Sequence, residues 1–124
     1  MTTALTTVHA NDPVSGAHAE MQVGAIRHLP VVDDRGRLVG VLSDRDVLRA
    51  IAAKKPLRVA DVMTRDLVTA LDEAPADLAA ELMLDQNISS VLVVDDANTL
   101  VGMVTMTDYV HLARRALRGQ PLER

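Results

Sequence analysis

The sequence contains no cysteine, no phenylalanine and no tryptophan, and only one tyrosine. Without cysteine there is no disulfide framework, no thiolate nucleophile and no cysteine-based zinc site. With one aromatic residue the core has to be aliphatic, built from Val, Leu, Ile, Ala and Met. Stacking of bases on aromatic side chains, the usual platform for single-stranded nucleic acid, is out of reach. A basic excess is lacking too: 13 Lys and Arg stand against 17 Asp and Glu, for a formal charge of −4 and a pI near 5.4. That balance argues against a nucleic-acid partner. No apolar run approaches the ~18 residues that a membrane span requires, so no membrane contact is expected. The opening Met1-Thr2-Thr3-Ala4-Leu5 has neither the basic stretch nor the apolar stretch of a signal peptide, and a reducing, cytoplasmic setting is the expectation.

What the chain does have is a repeat. Its 124 residues, 48% apolar and 24% charged, are one domain's worth of ordinary globular material. Ile26-Arg27-His28-Leu29-Pro30-Val31-Val32-Asp33-Asp34 recurs 62 residues later as Ile88-Ser89-Ser90-Val91-Leu92-Val93-Val94-Asp95-Asp96. The offset runs without a gap from Thr7 and Thr69 to Ile51 and Ala113, and 13 of those 45 paired positions are identical. Average amino-acid usage gives about 3 by chance. One such unit is small for an independent core, so two units sharing a core about a pseudo-two-fold axis are expected. The division falls at residues 1–55 and 56–124, with Lys54-Lys55-Pro56-Leu57-Arg58 as the linker.

Each unit reads strand, helix, strand, strand, helix, an α/β (α+β) fold. Leu5–Val8 and Leu67–Leu71 are short apolar runs. Asn11-Asp12-Pro13 and Glu73-Ala74-Pro75 read as helix starts, with Pro near the first turn. Val14, Ala17 and Met21, then Ala76, Ala79 and Met83, follow at i, i+3 and i+7, one face of a helix. Leu29–Val32 and Val91–Val94 predict strands. Asp33–Gly36 and Asp95–Asn98 predict tight turns, and Arg37–Leu42 and Thr99–Val104 the returning arms of two hairpins. Ser43 and Thr105 then open second helices that run to about Ala53 and Leu117, the last one ended by Gly119 and Pro121. Val59–Met63 reads as a short helical turn, and Met21, Met63, Met83, Met103 and Met106 read as core fillers.

The chemistry concentrates where the second helix of each unit begins. Gly40-Val41-Leu42-Ser43-Asp44-Arg45-Asp46 and Gly102-Met103-Val104-Thr105-Met106-Thr107-Asp108 share the pattern Gly, two apolar residues, Ser or Thr, two residues, Asp. A Ser or Thr followed three residues later by an acid is close to a capping box, which satisfies free N–H groups of the helix. The same residues also suit a nucleotide: the helix N-terminus favours phosphate, the hydroxyl adds a donor, and a carboxylate one turn on accepts from a ribose diol. Both roles can coexist in one residue. Catalysis has little support. The four histidines, at 9, 18, 28 and 111, form no zinc-enzyme spacing, and no serine sits in a Gly-x-Ser-x-Gly elbow. Asp33-Asp34 and Asp95-Asp96 are accounted for as turns, and no metal is expected.

Together with His28-Leu29-Pro30-Val31-Val32-Asp33-Asp34 and Val59-Ala60-Asp61-Val62-Met63-Thr64, these motifs resemble those of tandem CBS-domain proteins, or Bateman modules, over about Leu5 to Arg115. The resemblance implies a non-catalytic regulatory module. It would bind adenosine-type ligands (AMP, ADP, ATP or S-adenosylmethionine) in clefts between the two repeats and need no further cofactor. By the same resemblance Ser43 and Thr105 face phosphate, and Asp46 and Asp108 face ribose hydroxyls. The adenine is held by Thr7, Val8, Arg27, His28, Leu29 and Pro30, and by Thr69, Ala70, Ser89, Ser90 and Val91. A homodimer built through helices is also implied, with Ala74–Leu84 and Val110–Leu117 as the face, as is a regulated partner protein that the sequence does not identify.

The family's repeats open with a segment like Val59–Thr64. The first repeat would need it at about −3 to 2, so that segment is expected to be missing. The polar linings also differ: Arg27, His28 and Arg45 of the first repeat correspond to Ser89, Ser90 and Thr107 of the second. An Arg fork is the better phosphate partner, so unequal sites are expected. A reading of another class stays open, a ligand-free scaffold for dimerisation or partner binding. A metal-assisted hydrolase is a third.

Overall fold

The computed structural model describes residues 1–119. Its elements are β1 (Val8–His9), α1 (Val14–Gly24), β2 (His28–Val32), β3 (Leu38–Ser43), α2 (Asp44–Ala52), α3 (Val59–Val62), β4 (Thr69–Leu71), α4 (Leu78–Gln86), β5 (Ser90–Val94), β6 (Leu100–Thr105) and α5 (Met106–Leu117). Strand, helix, strand, strand, helix occurs twice, with α3 between. The elements gather into two compact units. The N-terminal unit holds Thr6–Leu67 and Ala97–Leu100; the C-terminal unit holds Met1–Leu5, Val68–Asp96 and, of the described residues, 101–119.

In the N-terminal unit the sheet order is β1-β2-β3. β2 and β3 are antiparallel, with His28 opposite Ser43, Leu29 opposite Leu42 and Pro30 opposite Val41, and a bulge between Val31 and Val32. Leu29, Val31 and Leu42 are wholly buried, against Val14, Ala17 and Met21 of α1 and Val47 and Ala50 of α2. The i, i+3, i+7 stripe of α1 is thus its core face. The 33–37 turn is closed by the Asp33 carboxylate, whose Oδ1 accepts from the N–H groups of Arg35 and Arg37, each at 2.9 Å. These bonds, that from Arg37 foremost, hold the Asp33 carboxyl below its usual range.

The expected strand Leu5–Val8 is reduced to Val8–His9, parallel to β2 with Val8 opposite Val31. The cause is Pro30, which has no N–H to offer a neighbouring strand. Its repeat counterpart Leu92 has one, and there the parallel pairing starts one residue earlier, with Thr69 opposite Leu92.

The C-terminal unit has the sheet β4-β5-β6. Its core is Ala70, Ala79, Met83 and Val91, with Leu78, Leu82, Ile88, Val104 and Tyr109 partly buried around them. α4 begins at Leu78 rather than near Glu73. The Leu78 N–H reaches only to the Pro75 carbonyl at 3.0 Å, so Pro75–Leu78 forms a turn ahead of the helix. Of the methionines read as core fillers, Met21 and Met83 are buried, but Met106, the first residue of α5, a helix with no buried residue, is 45% exposed. Gly119 follows α5 at φ +70 as expected, and Pro121 lies outside the described residues.

One expectation is corrected. Thr64 pairs with Val41 through two 2.9 Å backbone hydrogen bonds, and Thr2 pairs with Met103 through two of the same length, at the same 62-residue offset. Met1-Thr2 therefore does in the C-terminal unit what Met63-Thr64 does in the N-terminal unit. The end of the lead-in segment is present in the first repeat. This contact also explains the glycine of the shared motif. A Cβ on Gly40 would lie 2.6 Å from Met63 Sδ, and one on Gly102 would lie 2.7 Å from the Thr2 carbonyl oxygen.

Candidate functional site

The two Ser/Thr-x-x-Asp motifs fold into the two helix starts expected of them. Ser43 caps α2: its Oγ accepts from the Asp46 N–H at 3.1 Å, while Asp46 Oδ2 accepts from the Ser43 N–H at 2.9 Å. Thr105 caps α5 in the same way, at 3.3 Å from the Asp108 N–H, with Asp108 Oδ2 accepting from the Thr105 N–H at 2.8 Å. The capping reading is therefore true of both motifs. Each cap uses one carboxylate oxygen and leaves the other.

That second oxygen is where the repeats part. In the N-terminal unit Asp46 is 7% exposed, and its Oδ1 lies 3.6 Å from Arg49 Nη2. In the C-terminal unit Asp108 is half-buried, the position of Arg49 is taken by His111, and His111 Nδ1 contacts Arg114 Nη2 at 3.4 Å instead. No ion pair to Asp108 occurs among the described residues. Asp108 thus has a carboxylate oxygen open to an incoming donor, whereas that of Asp46 is covered.

The remaining expected residues fall into three groups. Val8, Leu29, Ala70 and Val91 have their side chains in the cores, and Pro30 is buried in β2, so these positions can present only backbone to a ligand. Thr7 is exposed ahead of β1, and Thr69 is half-buried in β4. His28 is exposed and stands opposite Ser43, on the same face of the β2–β3 pair. Ser90 is exposed at the start of β5, and Arg45 and Thr107 are exposed in the first turns of α2 and α5. Arg27 and Ser89 play one backbone part in both units: their carbonyls accept the N–H of the first residue of the following helix, Asp44 and Met106, at 2.9 Å.

Sequence reasoning missed a pocket of about 380 Å³ in the N-terminal unit, between α1 and the start of α2. His18, Gln22, Arg27 and Asp44 supply its polar lining. Comparing the two repeats at the 62-residue offset reveals the signal: these four positions are Ala80, Leu84, Ser89 and Met106 in the second repeat, so the charge is specific to the first. No cluster of His, Asp or Glu suited to a metal occurs among the described residues, and none of their helices is long and apolar enough to cross a membrane.

The sequence profile of the CBS domain matches residues 1–53 and 59–115. Among curated proteins the chain is similar to L-aspartate semialdehyde sulfurtransferase of Methanocaldococcus jannaschii, 39% identical over 106 residues, covering 86% of this chain and 21% of that enzyme. The chain spans about a fifth of the length of the curated enzymes it matches. Among solved structures it is similar to the CBS domain pair of protein MJ0100 in complex with 5′-methylthioadenosine and S-adenosyl-L-methionine. The TM-score is 0.73 and the identity 37%, covering 90% of this chain and 93% of that one. It is likewise similar to CBSX2 in complex with AMP, with a TM-score of 0.79 and 29% identity, covering 93% of this chain and 91% of that one. With two repeats of one motif, two three-stranded sheets and a profile match over most of its length, the chain belongs to the CBS-domain family, as a pair of CBS repeats.

Proposed function

We propose that the chain is a non-catalytic sensor that binds an adenosine-type ligand (AMP, ADP, ATP or S-adenosylmethionine) and transmits the bound state to a partner protein in the cytoplasm. The observation that carries this reading is the duplicated helix start, where a hydroxyl, a helix N-terminus and a carboxylate occur together, the carboxylate of Asp108 with an oxygen to spare. These groups match a phosphate and a ribose diol. Relatives of the same fold bound to S-adenosylmethionine, 5′-methylthioadenosine or AMP support the choice of ligand class. Asp108, with its open oxygen, is the carboxylate we assign to the stronger ribose contact. Arg45 and His28, flanking Ser43 in space, are the groups we assign to phosphate. Within the N-terminal unit Thr7 with backbone from Val8, Leu29 and Pro30, and within the C-terminal unit Thr69, Ser89, Ser90 and Thr107 with backbone from Ala70 and Val91, would complete the adenine and ribose contacts of each unit.

The test is thermal unfolding of the full chain with AMP, ATP and S-adenosylmethionine, followed by titration calorimetry. A ligand at 100 times its Kd adds about 2.7 kcal/mol. One strong and one weak or silent site per chain is the expected stoichiometry; two identical independent sites would show that the differing side chains do not reach the ligand. No shift with any of the three, and no adenosine compound in mass spectra of the purified protein, would leave the scaffold reading. Leu84, Val110 and Leu117, exposed at 77%, 61% and 88%, favour a homodimer contact through α4 and α5 in either case.

A further inference from the structure

We propose that the pocket between α1 and α2 binds a small aliphatic zwitterion, an α-amino acid with a branched hydrocarbon side chain. Its volume of about 380 Å³ lies at the small end of ligand sites, too small for a dinucleotide and ample for one amino acid. Met21, Ile26 and Val47 give it an apolar lining. The lining also includes one cation, Arg27, and one anion, Asp44, joined through backbone by the 2.9 Å bond from the Asp44 N–H to the Arg27 carbonyl. Neither side chain is in an ion pair among the described residues, with the other or with any third group. One guanidinium and one carboxylate in a single lining, neither of them in an ion pair, match the carboxylate and the ammonium of one zwitterionic ligand. His18 and Gln22 of α1, whose Nε2 atoms lie 3.1 Å apart, add hydrogen-bonding groups to the lining.

The fold itself does not require this lining. In the C-terminal unit the counterparts of Arg27 and Asp44 are Ser89 and Met106, those of His18 and Gln22 are Ala80 and Leu84, and Tyr109 stands in place of Val47. The same scaffold packs there with both charges absent and a larger side chain, Tyr109, partly buried against the core. The charged pair in the first repeat is therefore surplus to packing.

The experiment is a ¹H–¹⁵N titration of the full chain with L-leucine, with 4-methylpentanoate, which lacks the ammonium, and with 3-methylbutylamine, which lacks the carboxylate. Saturable shifts confined to residues 18–27 and 44–48 are expected with leucine, with each fragment weaker by roughly tenfold or more. Arg27→Ser, the residue the second repeat carries, and Asp44→Asn should each weaken leucine by a similar factor while the remaining amide peaks stay in place. Arg27→Ser should abolish binding of the carboxylate fragment, and Asp44→Asn should leave that fragment unaffected. Absence of saturable shifts at millimolar leucine, or leucine binding unchanged in both variants, would overturn the proposal. So would shifts of these same peaks that follow protein concentration rather than leucine, which would assign the groove to a second copy of the chain.

Discussion

The N-terminal unit is the tighter of two versions of one design. Its core joins ten buried residues, among them Leu29, Val31, Leu42 and Val59 at 0% exposure. The C-terminal core joins four, and no residue of α5 is buried. Two substitutions at the repeat offset account for part of the gap: Leu42 becomes Val104 and Val47 becomes Tyr109, both only partly buried in the C-terminal unit. The α3 turn adds Val59 to the N-terminal core only. An identical strand and cap pattern thus supports cores of different tightness. The looser unit also carries the more accessible carboxylate.

The largest expected effect tests the cores directly. Leu42→Ala empties a fully enclosed site and should cost about 2–5 kcal/mol. Val104→Ala, at the matching but half-buried position, removes fewer atoms and lets solvent fill the space, so its cost should be clearly smaller. Urea unfolding of both variants measures the two. Equal losses would mean that the C-terminal core is as tight as the N-terminal one.

Next in size is the lead-in contact. Gly40→Ala brings a methyl to 2.6 Å from Met63 Sδ and 3.0 Å from the Thr64 carbonyl, and overpacking of this kind costs about 1–3 kcal/mol. Because the nearer atom belongs to a flexible side chain, the double variant Gly40→Ala with Met63→Ala should recover part of the loss in a thermodynamic cycle. Gly102→Ala meets the Thr2 backbone at 2.7 Å, and there the whole segment must move. Strict additivity of the Gly40 and Met63 changes would break the explanation of the shared glycine.

The two caps should separate stability from binding. Asp46→Ala removes a buried cap together with its Arg49 contact, and Asp108→Ala removes a more open cap; a lost cap costs about 1–2 kcal/mol, the larger share expected at Asp46. For AMP the order should invert, with Asp108→Ala weakening affinity by about 1.5–3 kcal/mol and Asp46→Ala by less. Calorimetry beside melting curves checks both orders at once. Greater loss of AMP at Asp46 would move the stronger ribose contact to the first repeat.

Much of this was legible in the sequence because it is written twice. The hairpins and the capped second helices stand where the repeat puts them, since β-branched runs ended by Asp, Asn or Gly and Ser/Thr-x-x-Asp starts are local signals. Pro30 was visible as a residue, but its shortening of β1 depends on which strand lies beside it, which is tertiary information. The pairing of Met1-Thr2 with Met103 escaped notice because it is a backbone contact between distant segments. Site chemistry was legible at Ser43, Asp46, Thr105 and Asp108, while the unequal cover on the two carboxylates depends on Arg49 and His111, one turn further on. At Val8, Leu29, Ala70 and Val91 the sequence could not show that the side chains turn into the core.

The smallest effect concerns the one aromatic residue, which stands where the N-terminal unit has Val47. Tyr109 donates its hydroxyl to the Ala76 carbonyl at 2.7 Å, tying α5 to the segment ahead of α4. Burial, the main cause, raises its pKa above the ordinary 10.0, because the phenolate would lose hydration on folding; the neighbouring Asp108 carboxylate acts in the same direction. The unfolded chain therefore gives up this proton at lower pH than the folded one. The stability it contributes is complete below pH 10 and is lost as pH rises through the folded value. Tyr109→Phe keeps the ring, removes the bond and should cost about 0.5–1.5 kcal/mol at neutral pH. The variant should also lose this alkaline decline, so the two proteins converge in stability above pH 10. Val47 fills the matching place in the N-terminal unit and cannot titrate. Amide exchange should therefore locate the alkaline loosening in α4 and α5, and protection lost first in α1 and α2 would contradict the assignment to Tyr109.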